Sequence, residues 1–365
     1  MNLKTKNFRN PLRTKTLCAT MKQTKMRRGE KMTLQKLAKL AGVSVSTVSK
    51  AFSDSREISV ETKEQILSLA KRHGCFEKYY KGKFGKQLVA VICPEIRGEF
   101  YADFAADLND KIEARGGMMM LSVSGFSAER EEDLIRYYGS FGHADGIIFV
   151  SGSLRLKTEP NIPVVQIGGK YKTEKADYID IDIASGIDQA VEYLKANGHR
   201  KIGYIGETLT ASKHRLFCEA MRKNALRLEE AYMVNSKMRF QMAGFDAMKQ
   251  LMEQKDRPTA VIAAYDYMAM GALRYTQEAG LSIPKDVSVI GMNNVSAAAY
   301  LDVPLTTIVS HPEELCETAV DLIFKKMDNQ FYFARQDITL KSRLIVRDSV
   351  ANLTGSSEPS RFCCF

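Results

Sequence analysis

The chain has no run of about 18 apolar residues, so nothing in it reads as a membrane-crossing helix. No apolar stretch follows the basic N-terminus, which argues against a secretory signal. Its seven cysteines, Cys18, Cys75, Cys93, Cys218, Cys316, Cys363 and Cys364, are odd in number and scattered apart from the last two. That pattern fits reduced thiols in the cytoplasm better than a disulfide framework or a zinc site. His73, His143, His199, His214 and His311 share no ligand spacing, so no metal site is expected. Gly168-Gly169 lacks the further glycines and lysine of a phosphate loop. No nucleophile elbow or Walker sequence occurs, so no cofactor and no enzyme chemistry are expected. The polar tail from residue 350 reads as disordered. It ends Phe-Cys-Cys-Phe, which is not a prenylation box, and it carries no leucine heptads for a coiled-coil tetramer.

What is present is charge, unevenly placed. The net charge is +10. Residues 1–31 carry ten Lys/Arg against one Glu, and residues 32–86 carry eleven against five Asp/Glu. The remainder, 87–365, is therefore net −5. A basic head on a mildly acidic body is expected when only the head meets phosphate. A length of 365 residues leaves room for two or three folding units of roughly 100–200 residues each.

Residues 1–31 show no sustained period and read as a disordered basic leader. Two explanations stand. The leader is a DNA-contacting arm, or it is translated from a start placed upstream of Met32. Arg27-Arg28-Gly29-Glu30-Lys31 can be encoded by purines alone, as a ribosome-binding site is.

From Thr33 the pattern turns helical. Leu34, Leu37, Ala38 and Ala41 form one apolar stripe, Thr33 suits an N-cap, and Gly42 allows a sharp turn. Ser44 can cap a second helix whose Val48, Ala51 and Phe52 face back to the core. Thr47 supplies only half of a capping box. Ser59 can cap a third helix with Ile66, Leu69 and Ala70 inward, ending near His73-Gly74. Two short helices around a glycine turn make a helix-turn-helix. The exposed face of the second is Val45, Ser46, Ser49 and Lys50. Lys50 can donate to guanine or phosphate, Ser46 can pair with either base type, and Val45 can touch a thymine methyl. Composition alone leaves an ordinary three-helix bundle equally open.

The string Met32-Thr-Leu-Gln-Lys-Leu-Ala-Lys-Leu-Ala-Gly-Val-Ser-Val-Ser-Thr-Val-Ser-Lys50, continued by Ile58-Ser59-Val-Glu-Thr62-Lys63, closely resembles the head of the lactose/galactose repressor (LacI/GalR) family. The resemblance implies that Val45, Ser46 and Lys50 read bases. Thr33, Ser44, Thr47, Ser49, Ser59 and Thr62, with Lys63, then hold phosphates or cap helices. It also implies a hinge helix over 77–86 that inserts a leucine wedge into the minor groove. Here the usual Pro-Asn and Ala-Arg are replaced by Glu77-Lys78 and Lys81-Gly82, and Phe84 stands at the wedge position. A phenylalanine can also open a base step. Gly82 and Gly85 each cost a helix roughly 1 kcal/mol, so a plain basic linker remains the alternative.

After Lys86, strands alternate with helices: Leu88–Cys93, Phe100–Arg115, Met118–Val123, Ala128–Tyr138, Gly146–Val150, Val164–Ile167 and Tyr178–Ile181. A second series begins with the helix Ala184–Asn197 and runs to the strand Val287–Gly291. This predicts an α/β body with parallel sheets in two lobes and a cleft at the carboxyl ends of the strands. Met118-Met119-Met120 falls on a strand, which favours core packing over a soft-metal site. Asn197-Gly-His-Arg-Lys-Ile-Gly-Tyr-Ile-Gly206, Asp266-Tyr-Met-Ala-Met-Gly-Ala-Leu273, Ile283-Pro-Lys-Asp-Val-Ser-Val-Ile-Gly-Met-Asn293-Asn294, Leu305-Thr-Thr-Ile and Leu344-Ile-Val-Arg347-Asp-Ser resemble the same family and the periplasmic sugar-binding fold. The resemblance runs from Met32 to about Ser349. It implies a periplasmic-binding-protein-like domain over 87–349, behind a helix-turn-helix domain over 32–76. Three crossovers then join the lobes, with a helix Pro312–Met327 returning to the first.

By the same resemblance, Phe100 and Tyr101 sit where aromatic pocket residues follow the first strand, with first-turn core packing as the alternative. Asp182 and Asp266 can accept hydroxyl hydrogen bonds, though Asp266 also suits a helix cap. A family arginine aligns with Lys213, or with Arg215 after a slip of two. Lys offers a point charge where Arg offers a planar fork. Asn293 replaces an aspartate, and Tyr265 can line the cleft. The expected protein is a cytoplasmic homodimeric repressor that binds a pseudo-palindromic operator under control of a sugar-like effector, with a phosphocarrier protein as a further candidate partner. A solute-binding module and an enzyme on the same scaffold are the rivals.

Overall fold

The computed structural model describes residues 32–53, 55, 57–76, 86–140, 143–152, 160, 162–169, 176–328 and 334–355. The basic leader, Phe84 with residues 77–85, and the last ten residues lie outside them. The chain divides into two compact units, 1–85 and 86–365.

The first unit is the three-helix head: α1 (Leu34–Ala41), α2 (Val45–Phe52) and α3 (Val60–Arg72). Each starts where its hydroxyl cap predicts. Thr33, Ser44 and Ser59 accept the backbone N–H of Lys36, Thr47 and Thr62 at 3.3, 3.0 and 3.2 Å. Gly42 ends α1 in the left-handed region, φ 69°. Without a Cβ it turns the chain there at little steric cost. Leu37, Val48, Phe52 and Ile66 close one small core, each side chain contributing about 1.5–3 kcal/mol on burial.

The second unit holds two six-stranded sheets. The first runs in the order β11-β5-β4-β3-β1-β2. Its strands are β1 (Leu88–Cys93), β2 (Met118–Val123), β3 (Gly146–Gly152), β4 (Val164–Gly169), β5 (Asp177–Asp182) and β11 (Asp337–Lys341). Along β1 the side chains alternate. Val89, Val91 and Cys93 join one core with α4 (Glu99–Ala114) and α10 (Pro312–Asp328). Ala90 and Ile92 join another core with α5 (Ala128–Ser140). Burial on both faces is why the strand reads as a continuous apolar run. Met118, Met119 and Met120 lie on β2, paired with Leu88, Val89 and Ala90.

The second sheet runs β12-β10-β9-β8-β6-β7. It consists of β6 (Ile202–Glu207), β7 (Met233–Ser236), β8 (Ala260–Ala263), β9 (Ser288–Met292), β10 (Thr306–Val309) and β12 (Arg343–Ile345). α6 (Ile183–Ala196), α7 (Ala211–Lys223), α8 (Phe240–Met252) and α9 (Asp266–Glu278) share its core. Not every pairing is parallel as expected: β12 runs antiparallel to β10. The helices α8 and α9 pack backbone to backbone through Gly244 and Gly271, whose missing side chains leave room for the partner helix's carbonyls.

The chain passes between the sheets three times: from β5 into α6, from β10 into α10, and from β11 into β12. Two of these passages are sewn together by Ser342. Its hydroxyl donates to the Asp182 carbonyl at 2.6 Å and accepts from Gly186 N–H at 3.0 Å. Residues 350–355, expected to belong to a disordered tail, instead run along the second lobe. Leu353 N–H donates to the Asn197 carbonyl at 2.8 Å, and the Ala351 carbonyl meets His199 Nε2 at 3.0 Å. Among the described residues no helix is long and apolar enough to cross a membrane.

Candidate functional site

On the head, the surface of α2 carries Val45, 42% exposed, beside exposed Ser46 and Ser49. These are the side chains expected to meet bases. The hydroxyls of Ser44 and Ser59 are committed to capping and also meet the hydroxyls of Thr47 and Thr62, at 2.8 and 3.0 Å. Thr33 is likewise a cap, and Lys63 lies half-buried in the first turn of α3. Lys50 is not simply presented to solvent as the sequence implies. Its ammonium forms an ion pair with Glu57, which holds the Glu57 carboxyl below its usual range.

In the two-lobed unit the side chain of Arg239 spans the cleft. Arg239 precedes α8 in the second lobe. Its Nη1 and Nη2 each donate at 2.8 Å to the two carboxylate oxygens of Glu95, which directly follows β1 in the first lobe. Its Nε donates at 3.0 Å to Glu207, the last residue of β6. Tyr265 O–H also donates to that Glu207 oxygen, at 3.1 Å, and accepts from Phe240 N–H at 2.9 Å. The guanidinium lies over the rings of Phe126, from the first lobe, and Phe240, from the second, with centroids 5.4 and 4.6 Å away. Two carboxylates bonded to one guanidinium raise its already high pKa further. A second bridge joins the lobes: Glu99 accepts from Ser296 N–H at 2.6 Å and from Tyr267 O–H at 3.3 Å.

Of the expected effector residues, Tyr265 is buried, its O–H bonded to Glu207 beside the bridge. Lys213 turns inward from α7, donating at 2.7 Å to the Ala264 carbonyl, and burial pushes its pKa down to about 8. Phe100 and Tyr101 are half-buried in the first turn of α4 and pack edge-on against each other, 5.1 Å between centroids. Tyr101 also meets Phe126, whose ring covers Arg239. Asn293 is half-buried at the end of β9 in the left-handed region, φ 98°, its N–H given to Ile308.

Arg215 and Asp266 need correction. Arg215 lies on the outer face of α7 with its side chain 72% exposed, paired with Glu219. A slip of two residues is about 200° around a helix, so only Lys213 can face inward. Asp182, half-buried, is the N-cap of α6, one carboxylate oxygen accepting from Ser185 N–H at 3.1 Å. Asp266 is the first residue of α9, whose N-cap is Tyr265. It is fully buried, accepting from Thr307 O–H at 2.6 Å and Val295 N–H at 2.8 Å. Burial raises its pKa to about 7 against those hydrogen bonds. Glu95, Glu99, Glu207, Phe126, Arg239 and Phe240 had not been singled out. Glu95 and Glu207 could have been, because each is a carboxylate at the carboxyl end of an apolar strand, where open α/β sheets bind ligands. No group of three or more His, Cys, Asp or Glu among the described residues could hold a metal ion.

Comparison with known proteins matches residues 33–75 to the description "Bacterial regulatory proteins, lacI family" and residues 191–350 to "Periplasmic binding protein-like domain". The HTH-type transcriptional repressor PurR of Erwinia tasmaniensis is 28% identical over 335 residues, 88% of this chain and 97% of that protein. Two solved structures share the fold. The transcriptional regulator CelR with cellobiose has a TM-score of 0.63 at 24% identity, over 87% of this chain and all of that one. The lac repressor dimer bound to operator and the anti-inducer ONPF has a TM-score of 0.65 at 21% identity, over 88% of this chain and all of that one.

Proposed function

We propose that the chain, which carries a lacI-family head over residues 33–75 and a periplasmic binding protein-like domain over 191–350, is a homodimeric repressor. Its operator affinity answers to a small molecule held between the two lobes. The observation that carries this reading is the head. Three capped helices present Val45, Ser46, Ser49 and Lys50 on one helix face, within the segment that matches the family. Those side chains suit base edges in a major groove, and a two-fold dimer reads two half-sites about one helical turn apart.

The body supplies control. Three chain passages connect two rigid sheets, so a ligand that binds one lobe arrangement better than another shifts that equilibrium. Coupling of this kind commonly amounts to about 1–3 kcal/mol between sites. The cellobiose bound in the CelR structure makes sugars the first effectors to try. A phosphocarrier protein is the alternative input, and a lysate pull-down that recovers none counts against it. A DNA-bound regulator works in the cytoplasm, and it needs no catalytic group.

Selection of random duplex DNA on the purified full chain, followed by binding across a salt series, tests the proposal. Enrichment of a palindrome is expected, with affinity falling as salt rises and weakening in Lys50→Ala. No enriched sequence, with or without metabolite extract, refutes it.

A further inference from the structure

The bridge across the cleft has the composition of a binding site whose occupant is covalently attached. Resting on the effector-sensing reading above, we propose that the cleft takes a planar organic cation, a guanidinium or amidinium on a short apolar stem, and that Arg239 is a tethered stand-in for it.

Four walls surround the Arg239 guanidinium, two from each lobe. Glu95 and Phe126 belong to the first lobe, Glu207 and Phe240 to the second. Glu95 grips with both oxygens, each at 2.8 Å, which a planar fork satisfies and a point charge does not. The rings offer their electron-rich faces to the cation. Both carboxylates are buried, Glu95 at 9% and Glu207 at 3% exposure. Buried carboxylates left without a cation are costly. Whatever replaces Arg239 must therefore bring positive charge. A neutral sugar can offer hydroxyls but leaves the two charges uncompensated, and an anion adds a third.

Arg239 is also placed to leave. It precedes α8 without capping it through its side chain. It keeps 31% of its side chain exposed, between the exposed Met238 and the start of the helix. Phe240, the next residue, is held at φ 61°. That left-handed conformation is unfavourable for a residue with a Cβ and persists only where the surroundings impose it. Exposed Ile96 and Leu209, one and two residues beyond Glu95 and Glu207, and exposed Met238 and Met242 beside Arg239 give these segments apolar side chains suited to a ligand's stem. A ligand displacing Arg239 competes with a group tethered at an effective concentration in the millimolar range. Removing the tether therefore tightens binding without adding a contact.

Calorimetric titration of the full chain with agmatine tests this. Glucose, cellobiose and glucose 6-phosphate are titrated alongside. Wild type is expected to bind agmatine in preference to the sugars and the phosphate. Arg239→Ala should bind it about tenfold more tightly or better. Adding Glu95→Gln to that variant should remove the gain. Circular dichroism melts check that the variants are folded, and Arg239→Met, which keeps part of the stem, serves if Arg239→Ala is not. Agmatine binding to neither wild type nor the folded variant overturns the proposal, as does a neutral sugar binding wild type more tightly than agmatine does. Operator binding measured on the same preparations separates the two readings. A chain that binds operator but no cation loses only the proposed cage, whereas one that binds no operator loses the regulator.

Discussion

Gly271→Ala should destabilise the second lobe, although alanine is the better helix former. In an exposed helix interior the replacement gains about 1 kcal/mol. Gly271 lies in α9 where it crosses α8. A methyl group there would stand 2.7 Å from the Gln241 carbonyl carbon and 2.8 Å from the Phe245 nitrogen, and closer still to the Gln241 oxygen. These are backbone atoms, so no side chain can rotate away. The helices must part by roughly an ångström to restore contact distance. That loosens Ala243, Ala247, Met268 and Ala272, all essentially inaccessible to solvent. Overpacking commonly costs about 1–3 kcal/mol and occasionally more. With the propensity gain subtracted, a net loss of about 1 kcal/mol is expected, up to about 2. For a body of this size each kcal/mol lowers Tm by roughly 2–4 °C, read by calorimetry. Gly244→Ala meets Met268 from the other helix in the same way. One separation relieves both clashes, so the double variant should lose much less than the sum of the two. A Tm that rises in Gly271→Ala, or strict additivity in the pair, refutes the close-packing argument.

Three further outcomes are expected. Asp266 has a folded pKa of about 7 against 3.8. Its folded form therefore holds a proton that the unfolded chain releases, and stability falls as pH rises from about 4 to 7. Asp266→Asn should flatten that limb in urea melts taken across the range; an unchanged slope means the carboxyl titrates normally. Glu57→Gln frees Lys50 from its ion pair and should tighten DNA binding at low salt, steepening the salt dependence by about one phosphate contact; identical slopes count against Lys50 as a DNA contact. Ser59→Ala removes the α3 cap and should cost about 1 kcal/mol, seen as faster hydrogen exchange at the Thr62 and Lys63 amides.

Much of the architecture was legible because local chemistry and global packing agree. Thr33, Ser44 and Ser59 mark helix starts with their own side chains, and β1 is apolar because both faces are covered. The strands missing from the sequence reading, β7, β10, β11 and β12, have only three to five residues each, too few for a clear period. β12 has three residues, and β7 is a four-residue edge strand ending in Asn235 and Ser236. β11 alternates polar and apolar, Asp337 to Lys341, as an edge strand with one wet face does, but five residues give a weak period. The cleft was harder to read. Glu95 and Arg239 are 144 positions apart, and only folding makes them partners. Asp266 looked like a ligand because aspartate so often is one. Its burial and its bonds to Thr307, on β10, and to Val295, after β9, come from segments distant in sequence.

The late position of β11 and β12 has a consequence for how the body is made. Residues 337–341 complete the first sheet and residues 343–345 the second, so both sheets wait on the same few codons, read after every other strand. A ribosome that has finished α10 holds two half-dressed lobes, each with an edge still unpaired. A nonsense codon anywhere before residue 337 removes a strand from both lobes at once, however much of either has been translated. Neither lobe can be inherited, duplicated or trimmed from the C-terminal side as a unit of its own. If the proposed regulator answers to its lobes moving against each other, that arrangement makes a half-built sensor unstable before it can occupy an operator.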